Sequence, residues 1–107
     1  MKPLVFVGSS LDDLKEFPDQ ARREAGFDLW QVQMGVMPRD FKPMLIVGAG
    51  CFELRIHVHG EWRVVFCAKR VEAVYVLHAF AKKTRATART DIEIAQRRFA
   101  QIGRNHD

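Results

Sequence analysis

Apolar and polar positions alternate through the middle third of the chain, and this alternation predicts two neighbouring β-strands. The apolar positions are Phe52, Leu54, Ile56 and Val58 in the first strand, then Trp62, Val64, Phe66 and Ala68 in the second. A two-residue turn between them would mix apolar and polar side chains on one face. A three-residue turn over residues 59–61 pairs Val58 with Trp62 and Ile56 with Val64, and keeps one face apolar. The pattern therefore predicts a hairpin with a three-residue turn.

The other face of this hairpin carries charged side chains. In the predicted register His57 lies directly across from Arg63, with Arg55 on the diagonal and Glu53 one step beyond. Directly paired Cβ atoms lie about 4.5–5.5 Å apart, and diagonal ones about 7–8 Å apart. The sequence therefore predicts one polar patch that holds two guanidinium groups, an imidazole and a carboxylate.

Helices are predicted on both sides of the hairpin in the chain. A short strand over residues 4–7 precedes a helix that starts at Ser10, and Pro18 ends this helix and opens a second one. Residues 73–80 are apolar enough to form a central strand, and Thr87 is the predicted N-cap of a last helix. The apolar stripes of the two longer helices are Phe17, Ala21, Ala25, Leu29 and Val32, then Ile92, Ala95, Phe99 and Ile102. We therefore predict an α+β fold, with an antiparallel sheet, two N-terminal helices and one C-terminal helix, in a single domain over residues 1–107.

Charge and cysteine usage narrow the class of protein. Residues 1–50 carry six Lys and Arg against seven Asp and Glu, whereas residues 51–107 carry eleven against six, so the basic charge is concentrated in the second half. Such a distribution suits a polyanionic partner, although many basic proteins bind no nucleic acid. No apolar run approaches the ~18 residues that span a membrane, and no signal peptide is evident. We therefore expect a cytoplasmic protein with no membrane partner, whose Cys51 and Cys67 are reduced thiols.

Several segments together resemble the RelE/HigB toxin superfamily. They are Phe52–Ile56, Trp62–Phe66, Val74–Thr84, and Asp91 and Ile92 at the opening of a helix. Lys2–Ser10 is similar to the phage-derived HigB-like branch, so the resemblance covers nearly the whole chain. It implies a RelE-like fold and the toxin of a type II toxin–antitoxin system. Such a toxin is an endoribonuclease that cleaves mRNA on the ribosome or free and inhibits translation, and a small antitoxin with a helix-turn-helix fold holds it inactive.

Metal-free RNA cleavage requires groups that stabilise charge on the phosphate and groups that move protons. Arg55 and Arg63 are the first candidates, because a guanidinium pairs bidentately with phosphate. The resemblance adds Lys82 and Lys83 after the last strand, and sequence does not decide which of them points into a cleft. His57 is a candidate acid or base because an imidazole titrates near neutral pH.

Weaker candidates remain for proton transfer and RNA binding. For proton transfer they are Glu53, His78 and His106, and for RNA binding Lys69, Arg85 and Arg89. Glu53 has the alternative role of an ion-pair partner for either arginine, and the only tyrosine, Tyr75, lies inside a strand. We expect no cofactor and no metal, because His57 and His59 lack a third ligand at suitable spacing.

Two other functions stay open at this point. One is a non-catalytic module that has kept the fold and binds RNA or the ribosome, and the other is an interaction protein shaped mainly for its antitoxin. A DNA-binding repressor is disfavoured, because the sequence shows no helix-turn-helix pattern.

Overall fold

Five strands form one mixed sheet in the computed structural model, which describes residues 1–104. The strands are β1 (Leu4–Phe6), β2 (Phe41–Pro43), β3 (Cys51–Ile56), β4 (Trp62–Cys67) and β5 (Val74–Ala81), and the helices are α1 (Ser10–Lys15), α2 (Asp19–Gln33) and α3 (Arg89–Arg104). The spatial order is β1-β5-β4-β3-β2. The predicted α+β class is confirmed, with both N-terminal helices and the C-terminal one.

One strand pair departs from the predicted antiparallel arrangement. β1 pairs parallel with β5, and places Leu4 beside Val74 and Phe6 beside Val76. The crossover that joins two parallel strands needs a dozen or more residues, and here it contains both N-terminal helices and the β3–β4 hairpin. β5 therefore lies between β1 and β4, in the central position that its apolar sequence predicts.

The turn between β3 and β4 is longer than predicted. Ile56 pairs with Trp62 and Leu54 with Val64, so the turn covers residues 57–61 and the three-residue turn is wrong. The indole Nε1 of Trp62 donates to the carbonyl oxygen of Val58 at 2.8 Å, and His59 takes a positive φ of 54°. The register is shifted by two residues, which leaves every side chain on its predicted face because the period of a strand is two. Alternation alone does not distinguish these registers.

Two apolar cores lie on the two faces of the sheet. The larger packs α1 and α2 against even-numbered positions of β3 and β4, and it buries the predicted α2 stripe: Phe17, Ala21, Ala25, Leu29 and Val32. The smaller lies under α3 and contains Val65, Leu77, Ala95 and Ile102. Ile92 and Phe99 of the predicted α3 stripe pack against it. Both helix stripes are thus confirmed.

A β-bulge shifts the register between β4 and β5. Val65 pairs with His78, whereas the next residue, Phe66, pairs with Val76, so Leu77 is the extra residue in β5. A bulge of this kind changes which side chains face each side of the sheet. Here it places His78 on the same side as α3, where its imidazole contacts Asp91 in the first turn of that helix.

The start of α3 also differs from the prediction. The helix begins at Arg89, and the carbonyl oxygen of Ala88 accepts hydrogen bonds from the backbone amides of Asp91 and Ile92 at 3.0 and 3.1 Å. Thr87 is therefore not the N-cap. Its hydroxyl instead donates to a carboxylate oxygen of Glu53, because a buried carboxylate is a strong acceptor for a nearby hydroxyl. Within residues 1–104, no helix is long and apolar enough to cross a membrane.

Candidate functional site

A cleft of about 440 Å³ lies between the turn that follows β2 and the segment that connects β5 to α3. We call it the cationic cleft. One wall is formed by residues 42–46, the other by Lys82 and residues 85–87, and Glu53 and Arg55 of β3 form the floor. Ile92 closes the cleft from α3. Four of its side chains are cationic, namely Lys42, Arg55, Lys82 and Arg85, and one is a carboxylate.

The floor of the cationic cleft is organised by the carboxylate of Glu53, which is only 1% exposed. Its Oε2 accepts a hydrogen bond from Thr87 Oγ1 at 2.6 Å. Its Oε1 lies 3.8 Å from Nε of Arg55 and 3.7 Å from Nε of Arg63, which are ion-pair distances. A charge buried this deeply is tolerated because opposite charges and a hydroxyl surround it. Glu53 thus takes the ion-pair role that the sequence left open for it.

Arg63 is a buried residue, with a side chain that is 5% exposed. It lies directly across the ladder from Arg55, which is the position predicted for His57. Its NH1 donates to the carbonyl oxygen of Trp62, and its NH2 donates to Glu61 Oε1, both at 3.0 Å. Arg63 is therefore held from three sides behind Glu53 and does not line the cleft.

Arg55 is the more accessible of the two arginines, with a third of its side chain exposed. It reaches Glu53 on one side, and its NH1 lies 4.0 Å from Oδ1 of Asp40 on the other. It also borders a smaller pocket of about 220 Å³ that contains Asp40 and His57. Arg55 is thus available to a ligand in the cationic cleft.

His57 lies outside the cationic cleft, and its predicted position across from Arg63 is wrong. The five-residue turn carries its imidazole, half exposed, toward Asp40 and Glu61. Nδ1 lies 2.8 Å from Oε1 of Glu61, and Nε2 contacts Asp40 Oδ2. The hydrogen bonds with Asp40 and then Glu61 raise the pKa of His57 above its ordinary value. The same contact lowers the pKa of the Glu61 carboxyl.

The two lysines after β5 differ in their position relative to the cationic cleft. Lys82 is partly buried and lines the cationic cleft, and its backbone amide donates to the carbonyl oxygen of Glu61 at 2.8 Å. Lys83 is exposed and is not among the lining residues. Of the predicted RNA-binding cations, Arg85 lines the cleft, whereas Lys69 and Arg89 are exposed elsewhere on the surface.

The remaining histidine candidates do not line the cationic cleft. His78 is buried, stacks on Phe80 with ring centroids 4.8 Å apart, and has Nε2 at 2.7 Å from Asp91 Oδ1. This contact fastens β5 to the first turn of α3, which is a structural role. His106 lies outside the described residues.

Sequence reasoning missed several residues of the cleft. Thr87 was interpreted as a helix cap, and no site residue was predicted between α2 and β3, yet this segment supplies Lys42 and the wall over residues 43–46. The only signal for them is the apolar run Met44-Leu45-Ile46-Val47 directly after Pro43, where a solvent-exposed loop is not expected to be so apolar.

This geometry suits the binding of a phosphate group. Four cationic side chains from three separate parts of the chain converge on one cleft, and guanidinium and ammonium groups are the usual protein ligands of phosphate. The residues that line it include no histidine, tyrosine or cysteine. Among residues 1–104, no group of three or more His, Cys, Asp or Glu side chains is placed to hold a metal ion.

Comparisons with known proteins agree with this fold. A family profile described as phage-derived protein Gp49-like matches residues 12–100. The structure of a mutant of the Escherichia coli toxin RelE in the free state is similar, with a TM-score of 0.65 and 15% identity, over 94% of this chain and 97% of that one. A comparison with curated proteins finds no match. The predicted resemblance to the RelE/HigB superfamily is confirmed, and the chain belongs to the Gp49-like family of phage-derived proteins and has a RelE-like fold.

Proposed function

We propose that this protein is the toxin of a type II toxin–antitoxin system and that it inhibits translation by cleaving mRNA in the cationic cleft. One observation carries the proposal: Arg55, Lys82 and Arg85 meet in one cleft around a buried carboxylate that fixes the position of the first of them. The family and the likeness to a solved structure named as the toxin RelE support the same function.

The proposed reaction needs no metal ion. The 2′-oxygen of a ribose loses its proton to solvent water as it attacks the adjacent phosphorus, while the bond from phosphorus to the 5′-oxygen breaks and that oxygen takes a proton from the ammonium group of Lys82, which solvent then protonates again. The products are a 2′,3′-cyclic phosphate and a free 5′-hydroxyl. Negative charge grows on the phosphoryl oxygens in the transition state, so fixed cations accelerate the step.

The residues of the cleft divide this work between them. Arg55 and Arg85 bind the phosphoryl oxygens, because each presents a planar fork of N–H donors. The ammonium group of Lys82 donates the proton to the departing 5′-oxygen. Glu53 and Arg63 do not touch the substrate, and they position Arg55 and the cleft floor through the ion pairs described above.

The proposal includes the partners of such a toxin. The substrate is mRNA on the ribosome, in the cytoplasm. A small helix-turn-helix antitoxin binds the toxin and holds it inactive. The cationic cleft favours an antitoxin segment with acidic side chains, because four cations line it against one carboxylate that Thr87 and the arginines already engage.

A second candidate function has its own supporting observation. The lining residues include no histidine or tyrosine, which are common proton-transfer groups in enzymes. A module that binds RNA or an antitoxin without cleaving RNA would need the cations of the cleft but no such group. The experiment below separates the two functions.

The test is induction of the chain in a bacterial host beside two variants, Lys82→Met and Lys15→Met. The two variants remove the same charge, but Lys15 is exposed on α1 and does not line the cleft. We expect growth arrest by the native chain and by Lys15→Met, and relief by Lys82→Met. Purified native protein should cleave RNA in the presence of a chelator and leave 2′,3′-cyclic phosphate ends. RNA binding without cleavage would identify the non-catalytic module, and arrest by all three chains would remove Lys82 from the proposed mechanism.

A further inference from the structure

The wall of the cationic cleft over residues 44–47 is an apolar β-turn. The backbone amide of Val47 donates to the carbonyl oxygen of Met44 at 3.0 Å and closes the turn. Met44 and Val47 are both 6% exposed and anchor the turn in the core under α3. Leu45 and Ile46, at the two corners, are 78% and 62% exposed. The turn therefore holds two large apolar side chains in solvent at the edge of a charged cleft.

Apolar residues at these corners oppose the usual preferences of a turn. Corner positions favour Pro, Gly, Asn, Asp and Ser, which satisfy the backbone locally and are well solvated. A single exposed leucine is ordinary on a protein surface. Leu45 and Ile46 are adjacent at the corners of a turn, and both line the same cleft as Lys82 and Arg85. This arrangement is more specific than one exposed apolar residue.

The turn is also held in place from outside. Nε2 of Gln96 in α3 donates to the carbonyl oxygen of Ile46 at 2.8 Å, and the backbone amide of Met44 donates to Cys51 at 2.9 Å. The corner side chains are thus presented by a fixed backbone. A preorganised apolar surface binds a ligand without paying the entropy of ordering a loop.

We propose that Leu45 and Ile46 form an apolar lip that contacts the base of an unpaired nucleotide whose phosphate is bound by Lys82 and Arg85. This inference rests on the proposed function and adds a feature of the substrate to it. The two walls of the cleft match the two halves of a nucleotide, because a base has an apolar face and the backbone is anionic. Bases inside a duplex are stacked and paired, so the lip selects single-stranded RNA.

The cations around the lip support nucleic acid as its occupant. Lys42 lies two residues before the turn, and Arg55 lies on the floor, so the lip borders cations on more than one side. The carboxylate of Glu53 is engaged by Thr87 and the arginines and does not offset them at the surface. A purely apolar protein segment would leave these cations without counter-charges.

The test measures the binding of a fluorescent single-stranded oligoribonucleotide that carries 2′-O-methyl groups, which prevent cleavage through the 2′-oxygen. It compares the native chain with the double variant Leu45→Ser and Ile46→Ser, and with Val71→Ser as a matched control. Val71 is 91% exposed and does not line the cleft, so its substitution removes an exposed apolar side chain elsewhere. A second oligonucleotide has the same backbone but lacks its three central bases.

We expect the double variant to bind the complete oligonucleotide about 5- to 10-fold more weakly than the native chain, since lost base contacts weaken binding by this order. The native chain should bind the abasic oligonucleotide more weakly than the complete one by about the same factor. The double variant should bind the two oligonucleotides with equal affinity. The dependence of its affinity on salt should stay unchanged, because no phosphate contact is lost. Lys82→Met should instead reduce the salt slope by about one.

The outcomes separate this inference from the proposed function. If the native chain binds RNA but the double variant behaves like Val71→Ser, the lip is wrong and the proposed function stands. If the native chain binds neither oligonucleotide, the inference is overturned, and the growth and cleavage assays judge the proposed function by themselves. If the double variant keeps RNA binding but no longer co-purifies with a helix-turn-helix antitoxin co-expressed from a neighbouring gene, the lip is a protein-binding surface and the inference is overturned.

Discussion

Thr87 donates a hydrogen bond from its hydroxyl to Glu53 Oε2, over a separation of 34 residues in the chain. Glu53 is in β3 on the floor of the cationic cleft, and Thr87 ends the segment that carries Lys82 and Arg85. This contact therefore ties the cationic wall of the cleft to its floor. It is the only side-chain hydrogen bond among the described residues that joins residues 82–88 to β3.

Thr87→Val removes this tie and keeps the shape of the side chain. We expect a loss of about 1–3 kcal/mol in the free energy of unfolding, because a buried carboxylate loses its hydroxyl donor. We also expect faster hydrogen exchange of the amides in residues 82–88, since the segment is no longer fastened. Thr87→Ser retains the hydroxyl and should exchange like the native chain. Equal exchange in all three chains would show that other contacts hold the segment.

We expect Arg63→Ala to lower the free energy of unfolding rather than to remove a group that contacts the substrate. The side chain is 5% exposed and pairs with Glu53 and Glu61, so its removal takes one of two cations from the buried carboxylate of Glu53 and leaves Arg55. Breaking a buried ion pair in this way costs about 3–5 kcal/mol, which urea unfolding will measure. Glu93→Gln breaks an exposed pair with Arg89 and should change stability by less than about 1 kcal/mol. An Arg63→Ala chain of native stability that fails to arrest growth would instead assign Arg63 a direct role in the reaction.

The turn over residues 57–61 should make stability depend on pH in a defined window. The pKa of His57 is raised above 6.5, so its contribution is complete below pH 6.5 and is lost as the pH rises through the folded-state pKa. The pKa of Glu61 is lowered below 4.5, so its contribution is complete above pH 4.5 and is lost as the pH falls through its folded-state value. The turn is therefore most stable between pH 4.5 and 6.5.

The variant His57→Gln tests this pH window. Both side chains are about half exposed, so we expect a modest difference from the native chain, about 0.2–1 kcal/mol at pH 6. Thermal unfolding at several pH values measures it. The difference should shrink as the pH rises past the folded-state pKa of His57, and a difference that stays constant up to pH 9 would contradict the assignment.

Cys51 and Cys67 face each other directly across β3 and β4. The backbone of Cys51 bonds to Met44 and Gly48 rather than to β4, which makes the two cysteines a non-hydrogen-bonded pair. In such pairs the Cα atoms lie about 4.5 Å apart, within the range that a disulfide spans. A hydrogen bond from Cys51 also lowers the pKa of the Cys67 thiol.

Treatment with diamide, a mild thiol oxidant, should therefore close an intrachain disulfide. Both thiols are buried, so the reaction should be slow and limited by local opening of the strand ends. The loss of two hydrogens is measured by mass spectrometry, and the closed loop should add about 3 kcal/mol to stability. Cys51→Ser provides the control. Two titratable thiols in the treated chain after unfolding would refute the pairing.

The sequence predicted the elements of this fold better than their connections. The stripe of α2 and the alternation in β3 and β4 were predictable, because burial on one face imposes a period on each element. The turn over residues 57–61 was not, because registers that differ by two residues bury the same side chains. The parallel pairing of β1 with β5 was also not predictable, because nothing in Leu4–Phe6 indicates which strand it joins or in which direction.

In the candidate site too, local features were predictable and contacts between distant parts of the chain were not. Arg55 and Glu53 were placed on one polar face by alternation, and the structure finds them there. Lys82 and Lys83 were indistinguishable until the course of the chain after β5 was known. Thr87 was misassigned because a hydroxyl before a helix fits a cap as well as a distant partner. Contacts between residues far apart in the chain decide such cases, and local patterns do not contain them.

The pairing of β1 with β5 sets the order in which the molecule is completed during its synthesis. Leu4–Phe6 is made some seventy residues before Val74–Ala81, the strand with which it pairs. Until then, Val7 and Ser10 also lack Val76, whose carbonyl oxygen they bond in the finished protein. Long-range pairings of this kind form late and slowly. A nascent chain therefore has no assembled cleft until β5 and the segment that follows it have emerged from the ribosome.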